Sequence, residues 1–342
     1  MISLCTLFDH NYLDKGLALY ESLENVCDDY KLYVLAMSEQ CYDILSDLKY
    51  KNLIPIKLID FESDELLEAK KNRSFGQYCF TCSSNLIKYI LDKYQPKDCT
   101  YIDADLFFYQ NPKVLIDEMY DNNKSVLITP HRFLKKMEKK KCKEVGEYCV
   151  EFNTFRNDMY GRHLLEVWRH QCLLRCDTIY SICWGDQLYL NGWPELYTCV
   201  HVTGNLGAGV APWNIKDYKA VQRENEEWLI YRGTQRCKLV FYHFEGIRYI
   251  SKNRIRMCVL SHLNMDVTWT RNLYYKYLTI VDKYKVLLKE KYNIDILLLA
   301  HPEYEGGVRR SFFQRFNIKK WREYIHQIML RLQYQDKDYM TI

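Results

Sequence analysis

At 342 residues, 48% of them hydrophobic and 15% aromatic, the chain has enough apolar surface for a sizeable core, which excludes an intrinsically disordered protein. Its 48 basic and 44 acidic residues leave a formal charge of +4, too even a balance for a nucleic-acid footprint spread over the surface, so no nucleic-acid partner is expected. There is no charged-then-apolar leader and no run of about eighteen apolar residues, so a cytoplasmic protein is expected rather than a secreted or membrane-spanning one.

The length fits one α/β catalytic core with a C-terminal extension. The fourteen cysteines are scattered and lie mostly within apolar-periodic segments, which favours reduced core residues over a disulfide scaffold. Cys79 with Cys82 and Cys172 with Cys176 have spacings that a zinc site can use, but core packing is the better reading of both pairs.

In chain order, short apolar runs at Ile2–Phe8, Leu32–Met37, Leu53–Ile59 and Thr100–Ile102 read as strands, with helical patterns between them. Leu13, Leu17, Tyr20 and Leu23 form one helical stripe, and Leu86, Ile87, Ile90, Leu91 and Tyr94 another. This alternation predicts a largely parallel sheet with helices on both faces, whose ligands bind beyond the carboxyl ends of the strands. The lysine-crowded stretch from Phe133 to Gly146 has no sustained apolar stripe and reads as a surface loop or frayed helix, a solvated charge run rather than a substrate lid. A strand at Cys149–Phe155 and a helix from about Gly161 to Cys176 follow, and then a glycine- and aromatic-rich region through Trp213.

Chemistry is most visible at Asp103-Ala104-Asp105, two carboxylates that follow a buried strand. Adjacent carboxylates repel, and a hard divalent cation such as Mn²⁺ or Mg²⁺ relieves that repulsion while gripping a nucleotide diphosphate. At the end of the first strand, Phe8-Asp9-His10-Asn11-Tyr12 offers groups that read a base and ribose and a ring that stacks; Asp9 and Asn11 serve equally as helix caps. Asp186 and Gln187, after Gly185, supply an acid and an amide of the kind that an oxocarbenium-like centre needs, again with capping as the plainer role. Gly204, Gly207 and Gly209 precede Pro212-Trp213, a loop able to approach phosphates. His201 and His243 each end a short apolar run, where an imidazole can complete a site begun by two aspartates.

In their order these motifs resemble the family 8 glycosyltransferases and their bacterial relatives, which share the GT-A fold and use nucleotide-diphospho-sugars. Phe8-Asp9-His10-Asn11-Tyr12 resembles that family's uracil-binding strand end, Asp103 and Asp105 its D-x-D, and Asn153 a strand asparagine near the donor sugar. Asp186-Gln187 with Leu190-Asn191 looks like its D-Q-x-x-L-N segment, and Pro212-Trp213 like the end of H-x-x-G-x-x-K-P-W. The resemblance covers about residues 1–246. It implies a retaining transfer from a UDP-sugar, a metal held by Asp103, Asp105 and a C-terminal histidine, and a nucleotide-sugar site that includes Thr6, Phe8, Asp9, Asn11, Tyr12, Asp103, Gly207 and Trp213. Asn153, Asp186 and Gln187 would take the sugar and its reacting carbon.

The sequence departs from the pattern at Ala211, which stands where the lysine before Pro-Trp is expected. His243-Phe244-Glu245-Gly246 resembles the H-x-x-G half displaced downstream, which favours His243 over His201 as the metal ligand, and Lys88 or Arg73 is left to supply the missing positive charge. The domains expected are 1–250, catalytic, and 251–342, a helical extension whose tail from Gly307 to Leu332 mixes arginines and lysines with aromatics. Such a tail lies on an anionic membrane surface near a lipid-linked saccharide, or packs onto the domain or a partner. The alternatives to a hexosyltransferase are a non-catalytic glycan- or nucleotide-binding protein and a sugar-nucleotide pyrophosphorylase, although the latter needs a basic glycine-rich loop after the first strand that is absent here.

Overall fold

A computed structural model describes residues 1–179, 183–222, 227–251, 254–258, 268–296 and 339–341. The arginine- and lysine-rich tail from Gly307 to Leu332 lies outside the described residues. The chain divides into two compact units, Met1–His243 and Phe244–Ile342.

The first unit opens with β1 (Ile2–Phe8), buried along its whole length, then α1 (Leu13–Glu24), β2 (Tyr30–Ala36), α2 (Glu39–Leu48) and β3 (Leu53–Lys57). The apolar run expected as one strand over Leu53–Ile59 stops at Lys57, and Leu58 begins the single-turn α3 (Leu58–Phe61). Apolar content alone did not distinguish the two conformations. After α4 (Asp64–Lys71) comes α5 (Phe75–Lys93), started by a capping box in which Ser74 and Gln77 satisfy each other's backbone amides. β4 (Asp98–Ile102), β5 (Leu106–Phe108), α6 (Lys113–Asp121) and β6 (Val126–Pro130) follow.

The lysine-rich stretch forms a helix, α7 (Lys135–Val145), with none of its residues buried. Lys140 and Lys141 reach Glu144 one turn on, at 3.7 and 2.9 Å, so local charge pairs support it where apolar periodicity is missing. β7 (Tyr148–Arg156) and α8 (Met159–Leu174) lead to the short antiparallel pair β8 (Thr178–Ile179) and β9 (Cys183–Trp184), the single-turn α9 (Trp193–Leu196) and β10 (Val200–Val202).

Among the described residues the central sheet has seven strands in the order β10-β6-β7-β4-β1-β2-β3, parallel except for β7, which runs against both of its neighbours. Cys5 and Leu7 of β1 meet Leu86, Ile90 and Leu165 of α5 and α8 in one cluster. Phe8, of opposite parity, packs on α1, where a Cβ on Gly16 would come within 2.4 Å of its ring. Beyond the sheet, β11 (Lys219–Gln222), β12 (Trp228–Arg232) and β13 (Gln235–Lys238) form an antiparallel meander, and β14 (Phe241–His243) pairs with β5.

All fourteen cysteines are free, and the described residues contain no cysteine-only metal cluster. In the second unit, β15 (Arg248–Ser251), β16 (Arg254–Arg256) and β17 (Tyr339–Thr341) form a small antiparallel sheet. Phe244 stacks on Tyr277 of α10 (Thr268–Tyr292) with ring centroids 3.9 Å apart. No described helix is long and apolar enough to cross a membrane.

Candidate active site

The chain turns sharply after β4. The amide of Asp103 donates to the Glu151 carbonyl of β7, and the amide of Leu106 returns to the Asp103 carbonyl at 3.2 Å, so both aspartates sit in a tight turn at the carboxyl edge of the sheet. β5 then pairs antiparallel with β14, which places His243 opposite Leu106. Strand register across nearly the whole unit thus brings the imidazole to the carboxylates: His243 Nε2 lies 3.1 Å from Asp105 Oδ1 and 3.8 Å from Asp103 Oδ2.

The glycine-rich loop holds β14 in place. The Gly207 carbonyl accepts from the amides of Val240 and Phe241, and Val210 accepts from the amide of His243. A Cβ at Gly207 would lie 2.1 Å from the Lys238 carbonyl oxygen, so this approach needs glycine. The Gly207 amide itself donates to Asn205 at 2.9 Å and is therefore engaged within the protein. Trp213, anchored by its indole N–H to the His131 carbonyl at 2.8 Å, sets its ring edge-on to His243 with centroids 5.3 Å apart.

Several more groups complete this edge. Tyr12 donates to Asp105 Oδ2 at 2.9 Å, and the ammonium of Lys15, one helical turn on and itself buried, lies 3.8 Å from the Tyr12 ring centroid. Glu151, fully buried, is 2.6 Å from His243 Nδ1. Cys149, two residues earlier on β7, brings its thiol into the same group as Asp103 and His243, with the ligand atoms all within 4.8 Å of one another. Asn153 accepts from the Thr129 amide at 3.3 Å, while its Nδ2, together with Thr6 Oγ1 and Glu151 Oε1, is buried without a hydrogen-bond partner among the described residues.

The charges are strongly perturbed. Burial pushes the Asp103 carboxyl up to about 7, with the neighbouring carboxyls of Asp105, Asp186 and Glu151 adding to the rise and His243 opposing it. Burial works upward on Asp105 too, but the imidazole, Tyr12 and Lys15 outweigh it and hold Asp105 down at about 2. For His243 burial works downward, and Asp105, Cys149 and Glu151 reverse it, holding the imidazole well above its ordinary value. His131, on the other side of Trp213, lacks such partners, and burial lowers it to about 3. Asp103 keeps 30% of its side chain exposed against 11% for Asp105 and 6% for His243, so a ligand entering the site meets Asp103 first.

Asp186 sits on a second edge. Gly185, at φ +57, turns the chain, and Ser83 of α5 donates to Asp186 Oδ2 at 2.5 Å while Trp168 of α8 donates to its carbonyl at 2.9 Å. Burial raises Asp186 to about 7 against the Ser83 hydrogen bond. Gln187 donates to the Val145 carbonyl at the end of α7, and Asn191 accepts from the Glu147 amide, so both amides tie this segment to the entrance of β7.

The remaining expected residues stand apart from the cluster. Asp9 caps the 3₁₀ turn His10–Tyr12, accepting from both the backbone and side-chain nitrogens of Asn11; Phe8 is a core ring. His201 is bonded to Glu118 at 2.9 Å, away from the aspartates. Lys88 pairs with Asp92 and Glu166, and Arg73 with Thr81 and the Leu173 carbonyl. Among the described residues, Lys15 is a cation that acts on Asp105. Sequence reading missed both Lys15 and Glu151: Glu151 stands between Val150 and Phe152 inside a buried strand, which is a signal, whereas Lys15 is one of several charges in α1 and carries none.

Two solved structures of the galactosyltransferase LgtC superpose on the chain. The complex with donor and acceptor sugar analogues matches with a TM-score of 0.50, 15% identity, and coverage of 82% of this chain and 96% of that one. An active-site mutant of LgtC matches with a TM-score of 0.51, 14% identity and the same coverage. This is the GT-A glycosyltransferase fold. Within the GT-A fold, the cluster lies at the carboxyl edge of the sheet, where such α/β proteins bind ligands. In sequence the chain is similar to two proteins of Bacillus subtilis (strain 168), both described as uncharacterized. YfnD is 26% identical over 310 residues, 88% of this chain and 93% of YfnD, and YfnF 28% identical over 296 residues, 84% and 95%. No protein-family model matches the chain.

Proposed function

We propose that this protein is a glycosyltransferase that moves a hexose from a UDP-sugar to a hydroxyl of a glycan or lipid-linked saccharide acceptor, with retention of anomeric configuration and dependence on Mn²⁺ or Mg²⁺. The observation that carries the reading is the convergence of Asp103, Asp105 and His243 from two paired strands, oxygen and nitrogen donors drawn from distant sequence onto one point. The donor set fits a divalent cation. Its oxygens are hard ligands, and a positive ion would offset both the burial and the neighbouring carboxyls that together lift Asp103 to about 7. When bound, such a cation supplies charge neutralisation for a departing diphosphate.

The chain's own groups divide the rest of the work. Lys15 and Tyr12 keep Asp105 ionised and oriented. The Nδ2 of Asn153, buried without a partner among the described residues, is the donor assigned to a sugar hydroxyl, and Asp186, near neutral in pKa, holds or yields a proton beside the reacting carbon. Asp9 and Asn11, at the end of β1, are the groups proposed for the nucleotide.

The test is turnover of UDP-, GDP- and CMP-sugars with Mn²⁺, with EDTA, and in Asp105→Ala, using mixed glycan acceptors. Expected is metal-dependent UDP release, abolished by EDTA and lowered at least about a hundredfold by Asp105→Ala, with a product whose anomeric configuration by NMR matches the donor. A folded protein that neither binds nor turns over any sugar nucleotide would hand the lead to the non-catalytic binding reading.

A further inference from the structure

Glu151 is a fully buried carboxyl group in the middle of β7, flanked by Val150 and Phe152. A carboxyl group placed there is strongly disfavoured by desolvation unless something specific compensates it, so a plain core position would select an apolar residue. Its one hydrogen-bonded oxygen, Oε2, faces His243 Nδ1 at 2.6 Å, and Oε1 has no partner among the described residues.

The histidine has two ring nitrogens with different surroundings. Nδ1 meets Glu151; Nε2 meets Asp105 at 3.1 Å and Asp103 at 3.8 Å. A carboxyl acceptor at Nδ1 keeps a proton there, which leaves Nε2 as the nitrogen whose lone pair can serve a cation. Trp213, edge-on at 5.3 Å, limits rotation of the ring on its other side. Neither aspartate can do this job, because both lie on the Nε2 side.

We propose that Glu151 is a positioning residue for the cation site, fixing the tautomer and plane of His243 so that Nε2 faces Asp103 and Asp105. The inference rests on the metal-dependent reading above. It adds a fourth, non-ligating residue from a different strand, and it makes cation affinity depend on a group that does not touch the cation.

The experiment has two arms on the full-length chain. Mn²⁺ affinity is measured by calorimetry for wild type and Glu151→Gln, with the metal-free thermal midpoint recorded for both. Expected is a 10- to 100-fold weaker Kd in the variant, the range typical of losing such an outer partner, at a similar midpoint. A Kd within about threefold of wild type, in a variant that is folded, overturns the proposal.

The second arm needs no variant at position 151. Histidine-selective ¹⁵N NMR of the wild type, with His243 assigned through His243→Gln, should report a protonated Nδ1 and a Zn²⁺-induced shift at Nε2. The reverse pattern overturns the proposal even if Glu151→Gln fails to fold. Wild type that binds no divalent cation by either method removes this proposal and the metal part of the proposed function together. Wild type that binds Mn²⁺ while Glu151→Gln binds it equally well removes this one alone.

Discussion

Two carboxyl groups in this site, Asp103 and Asp186, are both lifted to about 7, and they reach that value by different routes. Around Asp103, burial is joined by the charges of Asp105, Asp186 and Glu151, and the group keeps 30% exposure. Around Asp186 burial acts alone, against a hydrogen bond from Ser83. At the first the neighbouring charges add to burial and an added cation offsets them; the second is a dry edge where burial alone raises the carboxyl. On the proposed function, similar perturbation serves different work, ligand capture on one edge and proton handling on the other.

The contrast breaks most visibly in activity. His243→Ala should abolish tight Mn²⁺ binding and lower turnover by at least about a hundredfold at ordinary metal concentrations. Asp186→Asn should leave the Mn²⁺ Kd within about twofold while still lowering kcat. Calorimetry and steady-state kinetics on both variants check this, and equal loss of metal affinity in the two would merge the edges into one site.

The dry edge has its own signature in stability. With a folded value of about 7 against an ordinary 3.8, Asp186 stays protonated in the native state while the unfolded chain ionises. Below the ordinary value both states are protonated and there is no penalty. As pH rises from there to 7, the native state holds the extra proton and stability falls, by up to about 4 kcal/mol; above 7 the effect is level. Asp103 shows the same direction without metal, so the informative quantity is the difference between wild type and Asp186→Asn. Chemical denaturation of the metal-free protein between pH 4 and 8 should give a gap favouring the asparagine variant that widens toward pH 7. A gap that is flat with pH would mean Asp186 is ionised in the folded protein.

Much of this was legible in the sequence because it is carried by local pattern. β1 and β7 are strands rich in apolar residues, and Asp103 and Asp105 stand directly behind a third, so the strands and the motif read off together. What escaped is carried by pairing between distant segments. His243 was preferred over His201 on the resemblance alone; its place beside the aspartates depends on β14 joining β5, and nothing within Val240–Glu245 states that partner. Lys15 and Glu151 become meaningful only once Tyr12 and His243 lie beside them. Gly207 was read for phosphate approach, yet the close contact it permits is with its own chain at Lys238. The lysine-rich α7 lies between: the sequence left a surface loop and a frayed helix both open, because its ion pairs are local but without a buried face it has no periodicity to decide for the helix.

That role for Gly207 gives a smaller effect, and one that links packing to the cation edge. Gly207→Ala places a methyl group 2.1 Å from a backbone carbonyl, so the loop or β13 must shift, at a cost of about 1–3 kcal/mol. Because the Gly207 carbonyl holds Val240 and Phe241, the shift moves His243, and Mn²⁺ affinity should weaken along with thermal stability. A loss of stability with unchanged Mn²⁺ affinity would confine the glycine to packing.

The smallest expected change tests the balance at Asp105. Tyr12→Phe removes a single 2.9 Å hydrogen bond to Oδ2 and leaves the ring beneath Lys15. A hydrogen bond to a charged group contributes about 1.5–3 kcal/mol, but here His243 and Lys15 remain as the other forces holding Asp105 down. The carboxyl group should therefore rise from about 2 without reaching neutrality, and Mn²⁺ affinity at pH 7 should change by less than about tenfold, with the loss growing as pH falls toward 5. Affinity measured at pH 5, 6 and 7 separates this from a direct ligand role for Tyr12, for which the loss would be the same at every pH.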